Sequence, residues 1–335
     1  MKRIGWGVIG PGSIAHRFLH DLTRCEGAGL AAVASRSSEK AAAFATQYGF
    51  EHSYGEYESL LKDPAVDIVY VATPHPYHHR HAIQAMEAGK AVLCEKPLAV
   101  NTGEAAEMIG CARRNGVFFM EAMWTRCFPV NKLVHERISS GRYGQVTLIE
   151  ADFGFGSWNG GRVVNPDSRL FSPKMAGGSL LDVGVYCVSY ASWVKGAKPI
   201  EVKALANIVD TGVDGMTAAL LKYGDGALAV LRSAVVQNTR QTAVIYCEKA
   251  TIEVPDFWHP SRAVIRRNDG SVEELDMPYG QDGSTGFQFE AEEAMRCIGA
   301  GLVESPLMPW RDSLAVMETL DEIRGCIGLK YPFED

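Results

Sequence analysis

A glycine-rich segment, GPGSIA at residues 10–15, constrains the fold of this chain more than any other stretch. It directly follows an apolar strand predicted for Arg3–Ile9 and precedes an amphipathic helix. In a G-x-G-x-x-A pattern between strand and helix, Gly10 allows a tight turn, Gly12 lets a pyrophosphate approach, and Ala15 permits close helix packing. The free amides of the helix N-terminus favour negative charge. The predicted phosphate-binding residues are Gly10, Gly12, Ser13, Ile14 and Ala15.

Strands and helices continue to alternate through the first third of the chain. The predicted strands are 30–34, 66–72, 91–97 and 117–120, and the helices are 38–48, 56–61, 79–88 and 102–115. This alternation predicts an α/β fold in residues 1–123, a doubly wound parallel sheet of the Rossmann type with helices on both faces. Ligands bind outside the carboxyl ends of such strands, so Gly10, Ser35, Thr73 and Lys96 are expected along one edge.

The second strand ends in Ser35-Arg36-Ser37, where an acidic residue would bind an adenosine ribose and repel a 2'-phosphate. Hydroxyl groups and a guanidinium fork instead suit a phosphate, and the guanidinium can stack on adenine. The alternative is that Arg36 is only a solvated residue at a helix start. Ser35 and Arg36 therefore favour NADP as the cofactor, with NAD as the other option.

The strand at 66–72 runs into the turn T-P-H-P-Y-H at residues 73–78. Thr73, Pro74, His75 and His78 are predicted to lie against the cofactor, and either histidine could contact nicotinamide, ribose or substrate. Four histidines at 75, 78, 79 and 81 also raise a metal-site hypothesis. We reject that hypothesis because two prolines break the run and no nearby carboxylate completes a ligand set.

The stretch AVLCEKP at 91–97 reads as a buried strand that runs directly into Glu95, Lys96 and Pro97. An ammonium group at the end of a buried strand is costly to desolvate unless it has partners. The alternative is an ordinary surface lysine at a strand end. Because this strand end falls on the predicted ligand edge, we predict that Lys96 is functional and that Glu95 and Lys96 contact the cofactor.

After about residue 123 the pattern changes to longer strands between 146 and 275, with hairpin signals at 223–226 and 268–270. Residues 124–335 are predicted to form an α+β domain with a large open, mostly antiparallel sheet, whose last helix, about 311–327, packs back near the first domain. An apolar free face of this sheet predicts a homodimer, with a tetramer as a further option. The apolar residues are Ala218, Leu220, Leu228, Val230 and Ala234.

The second informative stretch is AGGSLLDVGVY at 176–186. Its glycines give a flexible start to a helix on which Asp182 and Tyr186, four residues apart, share one face. A phenol and a carboxylate there could orient and protonate a substrate oxygen, although a capping aspartate beside a packed tyrosine is the simpler explanation. The further candidates for the substrate pocket are Trp124, Arg126 and Arg169.

Bulk properties argue against several classes of protein. The formal charge of −7 disfavours a nucleic-acid partner. Eight scattered cysteines contain no CxxC pair and read as reduced thiols. No apolar run reaches the roughly 18 residues that span a bilayer, and glycines at 5, 7, 10 and 12 break an N-terminal signal-like run. We expect a cytoplasmic protein with a small-molecule partner and no metal.

Taken together, G-x-G-x-x-A, T-P-H-P-Y-H, AVLCEKP and GGSLLDVGVY resemble the glucose-fructose oxidoreductase / inositol dehydrogenase / MocA family. Within it, MEAMWTRCFP at 120–129 and LLDVGVYCV at 180–188 resemble the dimeric dihydrodiol dehydrogenase branch, whose members also oxidise D-xylose. Tyr186 fits that branch, since many relatives carry His there, whereas His75 replaces a frequent Asn. The resemblance implies a Rossmann domain, a sheet-mediated dimer, and a cis bond before Pro97.

These features together predict an NAD(P)-dependent oxidoreductase acting on a carbinol or carbonyl carbon of a sugar or trans-dihydrodiol. The protein must then move one proton at the substrate oxygen. We favour Tyr186 as the acid/base, with Lys96 stabilising its phenolate and Asp182 orienting, although Lys96 could be the final donor. The alternatives are another sugar or inositol dehydrogenase or reductase of the family, and a non-catalytic NADP-binding regulator.

Overall fold

A computed structural model describes residues 3–160, 162–163 and 165–334. The strands are β1 (Ile4–Ile9), β2 (Ala28–Ala34), β3 (His52–Tyr54), β4 (Ile68–Val71), β5 (Ala91–Glu95), β6 (Phe119–Ala122), β7 (Val146–Gly154), β8 (Glu201–Ile208), β9 (Asp214–Lys222), β10 (Leu228–Ala234), β11 (Thr242–Cys247), β12 (Ala250–Pro255), β13 (Arg262–Arg267) and β14 (Val272–Asp276). The α-helices are α1 (Ser13–Leu22), α2 (Ser38–Tyr48), α3 (Tyr57–Lys62), α4 (His78–Glu87), α5 (Thr102–Asn115), α6 (Pro129–Ser139), α7 (Val185–Lys195), α8 (Gln288–Gly299) and α9 (Trp310–Ile327).

The described residues form two compact units, and neither unit is continuous in sequence. Unit 1 contains the chain through Ala99, then Gly103–Trp124 and Tyr279–Trp310. Unit 2 contains Val100–Thr102, Thr125–Pro278 and the chain from Arg311 onward. The predicted domain boundary after residue 123 is close to one junction, but the sequence pattern gave no signal that 279–310 leaves the second unit.

Unit 1 is built on a six-stranded parallel sheet in the order β3-β2-β1-β4-β5-β6. Its central strands are apolar and buried along their length because helices cover both faces, as parallel strands require. The predicted α/β doubly wound fold is confirmed. The edge strand β3 was not predicted, because its three residues are polar and exposed or half-buried and give no apolar pattern.

One buried aspartate ties the returning segment 279–310 to the first helix of unit 1. Asp21 is fully buried in the last turn of α1 and accepts hydrogen bonds from the Thr285 N–H, the Thr285 hydroxyl and the Phe287 N–H at 2.8–3.0 Å. Phe287 packs edge-on against Phe18 of α1, with ring centroids 6.4 Å apart. These contacts place α8 beside the sheet.

Unit 2 contains an eight-stranded sheet in the order β14-β13-β12-β11-β7-β10-β9-β8. Only the β7–β10 pair is parallel, and the other neighbouring pairs are antiparallel. The predicted mostly antiparallel sheet is therefore confirmed. Leu205, Leu220 and Leu228 remain 82%, 54% and 45% exposed, so one face near β8–β10 is open. Ala234, predicted on that face, is instead buried at the end of β10.

The other face of this sheet carries α7 and the turn that leads into it. The ten residues Val185–Val194 of α7 are all buried, which explains the weak amphipathic pattern of this stretch. Leu180–Gly184 form a π-helical turn ahead of α7, where a regular helix was predicted. Among the described residues, no helix is both long enough and apolar enough to cross a membrane.

We predict that replacing Asp21 by alanine lowers the free energy of unfolding by about 2–4 kcal/mol, because buried N–H donors lose their acceptor. The measurement is urea unfolding followed by circular dichroism. Asp21→Asn keeps one acceptor and should lose less. Glu58→Ala, at an exposed position of α3, is the matched control. An unchanged midpoint for Asp21→Ala would contradict the anchoring role.

Candidate active site

The glycine segment forms the predicted tight turn between β1 and α1. Gly10 has φ of +84°, and a Cβ atom there would lie 2.8 Å from Cγ2 of Thr73 and 3.1 Å from the carbonyl oxygen of Ala72. A side chain at Gly10 would thus clash with the end of β4 and occupy a disfavoured backbone region. The turn needs glycine for both reasons.

Gly12 leaves room on the outer side of the same turn. A Cβ atom there would approach only the carbonyl oxygen of Gly10, at 3.9 Å. Gly12 is the N-cap of α1, and no side chain caps the first-turn amides near Ser13 and Ile14. Ala15 is fully buried beneath them. The arrangement fits a dinucleotide, since an open cradle next to a helix N-terminus suits a pyrophosphate.

The end of β2 carries the residues predicted to read the adenosine end of the cofactor. Ser35 is buried and its hydroxyl accepts a hydrogen bond from the Ser37 N–H at 3.3 Å, while the Ser37 hydroxyl caps α2. Arg36 is exposed. Its positive charge acts to lower the pKa of Tyr57, although burial dominates and raises that pKa. Arg36 and Tyr57 therefore lie on one polar, solvent-accessible rim.

His81 adds a neutral ring to this rim, although sequence reasoning gave it no cofactor role. Burial, together with the smaller effects of the charges of Arg80, His78 and Arg36, lowers the pKa of His81 to about 4. Its Nδ1 lies 3.1 Å from the Thr73 hydroxyl. An uncharged imidazole beside an exposed guanidinium leaves that cation available to an anionic ligand.

His78 does not occupy the cofactor-facing position predicted for it. Its ring is fully buried, with Nε2 at 2.7 Å from the Thr73 carbonyl oxygen and Nδ1 at 2.8 Å from the Pro97 carbonyl oxygen. Both neighbours are acceptors, so the ring donates to both only when doubly protonated. We reassign His78 from cofactor contact to a tie between the Thr73-Pro74 turn and the Lys96-Pro97 turn.

The four clustered histidines point to separate partners. His79 is half-buried, and its Nε2 atom lies 2.8 Å from the Glu107 carboxylate. His78 and His81 instead bind the Thr73 turn. His75 is buried and packs edge-on against His78, with ring centroids 5.8 Å apart. Among the described residues, no group of three or more His, Cys, Asp or Glu side chains is arranged to hold a metal ion.

The predicted strand over Ala91–Glu95 ends at the half-buried Lys96, and the implied cis peptide bond between Lys96 and Pro97 is present. Glu95 is buried, and its carboxylate accepts hydrogen bonds from the Tyr70 hydroxyl at 2.5 Å and the Lys96 N–H at 3.1 Å. The Glu95 carboxylate thus faces Tyr70 in the interior. These hydrogen bonds fix the strand end that presents Lys96, and the cofactor contact of Glu95 stays a prediction.

In unit 2, Asp182 lies in the π-helical turn and is 8% exposed at its side chain. Its Oδ1 accepts a hydrogen bond of 3.0 Å from the Arg169 guanidinium, which is itself 54% exposed. The structure therefore brings together two of the predicted substrate residues. An exposed guanidinium held by a buried carboxylate is oriented yet still able to donate to a ligand.

Tyr186, in the first turn of α7, lies in an aromatic cluster. Its ring centroid is 5.4 Å from that of Phe153 and 6.4 Å from that of Trp258. Phe153 and Trp258 stack on each other at 4.6 Å, and the Trp258 indole N–H donates to Gln241. Sequence reasoning missed both. Phe153 could have been found as the aromatic end of a predicted strand, whereas Trp258 follows β12 without a local signal.

The remaining two candidates are buried within the protein. The Trp124 ring stacks on Phe287 at 4.3 Å in unit 1. Arg126, in unit 2, is fully buried and donates to Ser189 at 3.1 and 3.2 Å and to Asp312 at 2.6 Å. We reassign Arg126 from substrate contact to a structural role, because its guanidinium is directed at these protein acceptors.

Two family models together cover most of the chain. The model described as an oxidoreductase family with an NAD-binding Rossmann fold matches residues 4–123. The model for the GFO/IDH/MocA C-terminal domain matches residues 132–253. These matches correspond to the β1–β6 sheet and to much of the second sheet.

The chain is 38% identical to trans-1,2-dihydrobenzene-1,2-diol dehydrogenase of Danio rerio over 332 residues, covering 97% of each protein. It is 35% identical to the Mus musculus enzyme of the same name, covering 98% of each. A 3-ketoreductase from Actinomadura kijaniata, solved with NADP and TDP-benzene, has a TM-score of 0.84 at 26% identity, covering 97% of this chain and 98% of that one. The glycine cradle, the E-K-P strand end and these matches show that the chain belongs to the GFO/IDH/MocA family of nicotinamide-dependent oxidoreductases.

Proposed function

We propose that this enzyme uses NADP to interconvert a hydroxyl and a carbonyl group on a sugar or a trans-dihydrodiol. The observation that carries the substrate class is the aromatic cluster in which Tyr186 lies against Phe153 and Trp258, close in sequence to the Arg169–Asp182 pair. Aromatic faces pack against the C–H faces of a sugar or a diene ring, while a guanidinium binds hydroxyl groups. The names of the curated relatives also fit a diol.

Each proposed active-site residue has one task. The nicotinamide, when bound, supplies the redox chemistry. Tyr186 gives a proton to the substrate oxygen or takes one from it, and Lys96 is the alternative group for this transfer. Arg169, held by Asp182, orients a neighbouring hydroxyl group of the substrate. Which of Tyr186 and Lys96 makes the last proton transfer is decided by the variants below.

The preference for NADP rests on the rim at the end of β2. Arg36 is exposed there and Ser35 offers a hydroxyl, while residues 35–37 contain no carboxylate to repel a 2'-phosphate. The nearest carboxylate after the strand, Glu39, accepts a hydrogen bond from the Ser37 hydroxyl at 2.7 Å. The phosphate cradle is proposed to consist of Gly10, Gly12, Ser13, Ile14 and Ala15, with Thr73, Pro74 and His75 beside it. The Actinomadura ketoreductase was solved with NADP, which is consistent with this preference.

A substrate panel tests the reaction. Sugars, inositols, 1,5-anhydro sugars and trans-dihydrodiols would each be assayed with NADP and with NAD by absorbance at about 340 nm, the band of reduced nicotinamide. Turnover of a sugar or dihydrodiol supports the proposal. Turnover of inositol alone would favour a different branch of the family, and cofactor binding without any turnover would favour a regulator.

Replacing Tyr186 by phenylalanine should lower kcat by about 100- to 10,000-fold while NADP affinity stays near the parent value, because only the proton donor is lost. Tyr190→Phe is the matched control, since Tyr190 lies one turn later on α7 with a buried hydroxyl that bonds to none of the described residues. Steady-state kinetics and cofactor fluorescence titration measure the two effects. Equal turnover in Tyr186→Phe and parent would move the donor role to Lys96.

Removing the Arg36 guanidinium by Arg36→Ala should weaken NADP binding by about 10- to 100-fold and leave NAD binding nearly unchanged, because only NADP carries the 2'-phosphate. Arg114→Ala, at an exposed position late in α5, controls for the loss of one positive charge. Isothermal titration calorimetry with each cofactor gives the ratio of the NADP and NAD dissociation constants in parent and variant. Parallel losses for both cofactors would contradict phosphate recognition.

We further propose that the open face of the eight-stranded sheet binds a second copy of this chain. One row of register crosses all eight strands, and its apolar and acidic side chains alternate over the six strands from β10 to β14. The row is Lys203, Leu220, Val230, Glu150, Val244, Glu253, Val264 and Glu274. It begins with a cation and ends with an anion, so a twofold axis through its middle pairs opposite charges.

Introducing a charge into the apolar part of this face, with Leu220→Asp, should convert a dimer into a monomer of 36.5 kDa, because the carboxylate would replace an apolar contact and would have to lose its hydration in the interface. Sedimentation velocity of parent and variant reads the mass directly. Leu302→Asp, at a 41% exposed position in unit 1, is the control. A parent protein that sediments as a monomer would refute the interface.

A further inference from the structure

A buried carboxylate lies beneath the π-helical turn and has no task in the mechanism above. Asp214, the first residue of β9, is fully buried. Its Oδ2 atom accepts three hydrogen bonds of 2.7 Å, from the Ser179 hydroxyl, the Leu180 N–H and the Thr217 hydroxyl. Leu180 is the first residue of the turn, so this carboxylate caps a helical N-terminus from a neighbouring strand.

The backbone approaches this carboxylate closely just before the turn. Gly178 has φ of +115°, and a Cβ atom there would lie 2.0 Å from Oδ1 of Asp214. Oδ1 itself is buried and forms no hydrogen bond with the described residues. The Ser179 hydroxyl also lies 3.0 Å from the Ser233 hydroxyl of β10. The turn is therefore fixed against two strands through a single carboxylate and its neighbouring hydroxyl groups.

The segment ahead of the turn is held separately. The Gly178 N–H donates to the Leu170 carbonyl oxygen at 2.8 Å, and the Tyr331 hydroxyl donates to the Gly177 carbonyl oxygen at 2.8 Å. Arg169, which binds Asp182, is adjacent to Leu170. Because the segment before the turn is held by these hydrogen bonds, the property of the turn that can still change is its helical register.

That register decides how two active-site groups are oriented. Asp182 lies within the π-helical turn, and Tyr186 lies just after it on α7. A π-helical turn contains an extra residue relative to an α-helical one. Relaxation to regular helix would rotate Asp182 relative to Tyr186 by about 100°, the angle per residue of an α-helix. Loss of the cap would therefore separate the orienting carboxylate from the phenol.

We propose that Asp214 is a positioning residue whose carboxylate holds Leu180–Gly184 in the π-helical register and thereby sets the orientation of Asp182 relative to Tyr186. The inference rests on the proposed roles of those two residues. Asp214 itself touches neither substrate nor cofactor in this scheme. It acts through Leu180 and Ser179.

The charge of Asp214 links the turn to pH. Burial raises the pKa of Asp214 to about 6, although the Ser179, Thr217 and Leu180 hydrogen bonds oppose the shift. Above that pH the carboxylate accepts all three bonds with full charge, and below it the neutral acid accepts them more weakly. Because the pKa of Asp214 is higher in the folded chain than its ordinary value of 3.8, the folded chain binds the proton more tightly, and protonation between pH values of about 6 and 3.8 favours folding. The loss that we expect on acidification is therefore a loss of local order in the turn and not of global stability.

Other ionisable groups around Asp214 belong to the elements packed against it. Asp182 lies on the turn and Arg232 on β10. Tyr331 has its pKa raised mainly by burial and secondarily by Asp214, and the neighbouring Arg324 and Glu334 pair with each other. None of these changes charge near pH 6 as an isolated side chain. The Thr217 variants below assign an acidic limb of kcat near that pH to Asp214, because a histidine elsewhere in the proposed site would not respond to them.

The kinetic test uses a matched pair at Thr217. Thr217→Val keeps the shape but removes one donor to the carboxylate, which should move the acidic limb of kcat to higher pH, while Thr217→Ser should restore it. Asp214→Asn should lower kcat by roughly 10- to 100-fold and abolish the limb, with KM for NADP unchanged. Coincident pH profiles for Thr217→Val and Thr217→Ser would overturn the proposal.

The second measurement needs no substrate. Hydrogen exchange of the peptide containing Leu180–Gly184, expressed as protection factors, should fall on acidification of the parent from pH 7 to 5 and in Asp214→Asn at both pH values. If the substrate panel shows no turnover, the proposed function fails while this exchange experiment still tests the anchor. Unchanged protection in both Asp214→Asn and Thr217→Val would overturn the anchor even in an active enzyme.

Discussion

The close approach between the first turn and the end of β4 is the constraint on which the cofactor-binding unit depends. Gly10 can lie against Thr73 and Ala72 only without a side chain. Thr73 then serves two partners, since its hydroxyl faces His81 and its carbonyl oxygen faces His78. The second nitrogen of His78 continues to the Pro97 carbonyl oxygen beside Lys96. Contacts between the ends of β1, β4 and β5 thus connect the Gly10 turn to the predicted catalytic lysine.

In unit 2, by contrast, polar groups are presented by a helix that is buried on all sides. A regular amphipathic helix would expose its polar face to solvent, but Val185–Val194 have no exposed face. The polar groups are concentrated at the start of the helix, where the π-helical turn carries Asp182 and the first turn of α7 carries Tyr186. Buried carboxylates at Asp182 and Asp214 are tolerated because each accepts charge-assisted hydrogen bonds.

The sequence predicted those features that depend on local pattern. Predicted helices 38–48 and 102–115 match α2 and α5, because a capping serine, apolar spacing and flanking breakers are all encoded nearby. The parallel sheet followed from strand and helix alternation. By contrast, the roles of His78 and Arg126 came out differently, because both ring nitrogens of His78 and the Arg126 guanidinium bind backbone or side-chain acceptors that only the fold brings near. The residue type indicated that each side chain forms polar contacts, whereas the partners that each one binds depended on tertiary contacts.

Dependence on tertiary contacts also explains why the aromatic cluster around Tyr186 could not be predicted from the sequence. Phe153, Tyr186 and Trp258 come from β7, α7 and the segment after β12, and they meet because β7 is central in the sheet and α7 lies across it. The antiparallel pairing of β7 with β11, and of β11 with β12, brings the end of β12 beside the end of β7, and no hairpin signal encodes the β7–β11 pair. A substrate pocket lined by residues so far apart in sequence can change its shape through any of those segments. The proposed catalytic tyrosine can therefore be retained while the accepted sugar or diol changes.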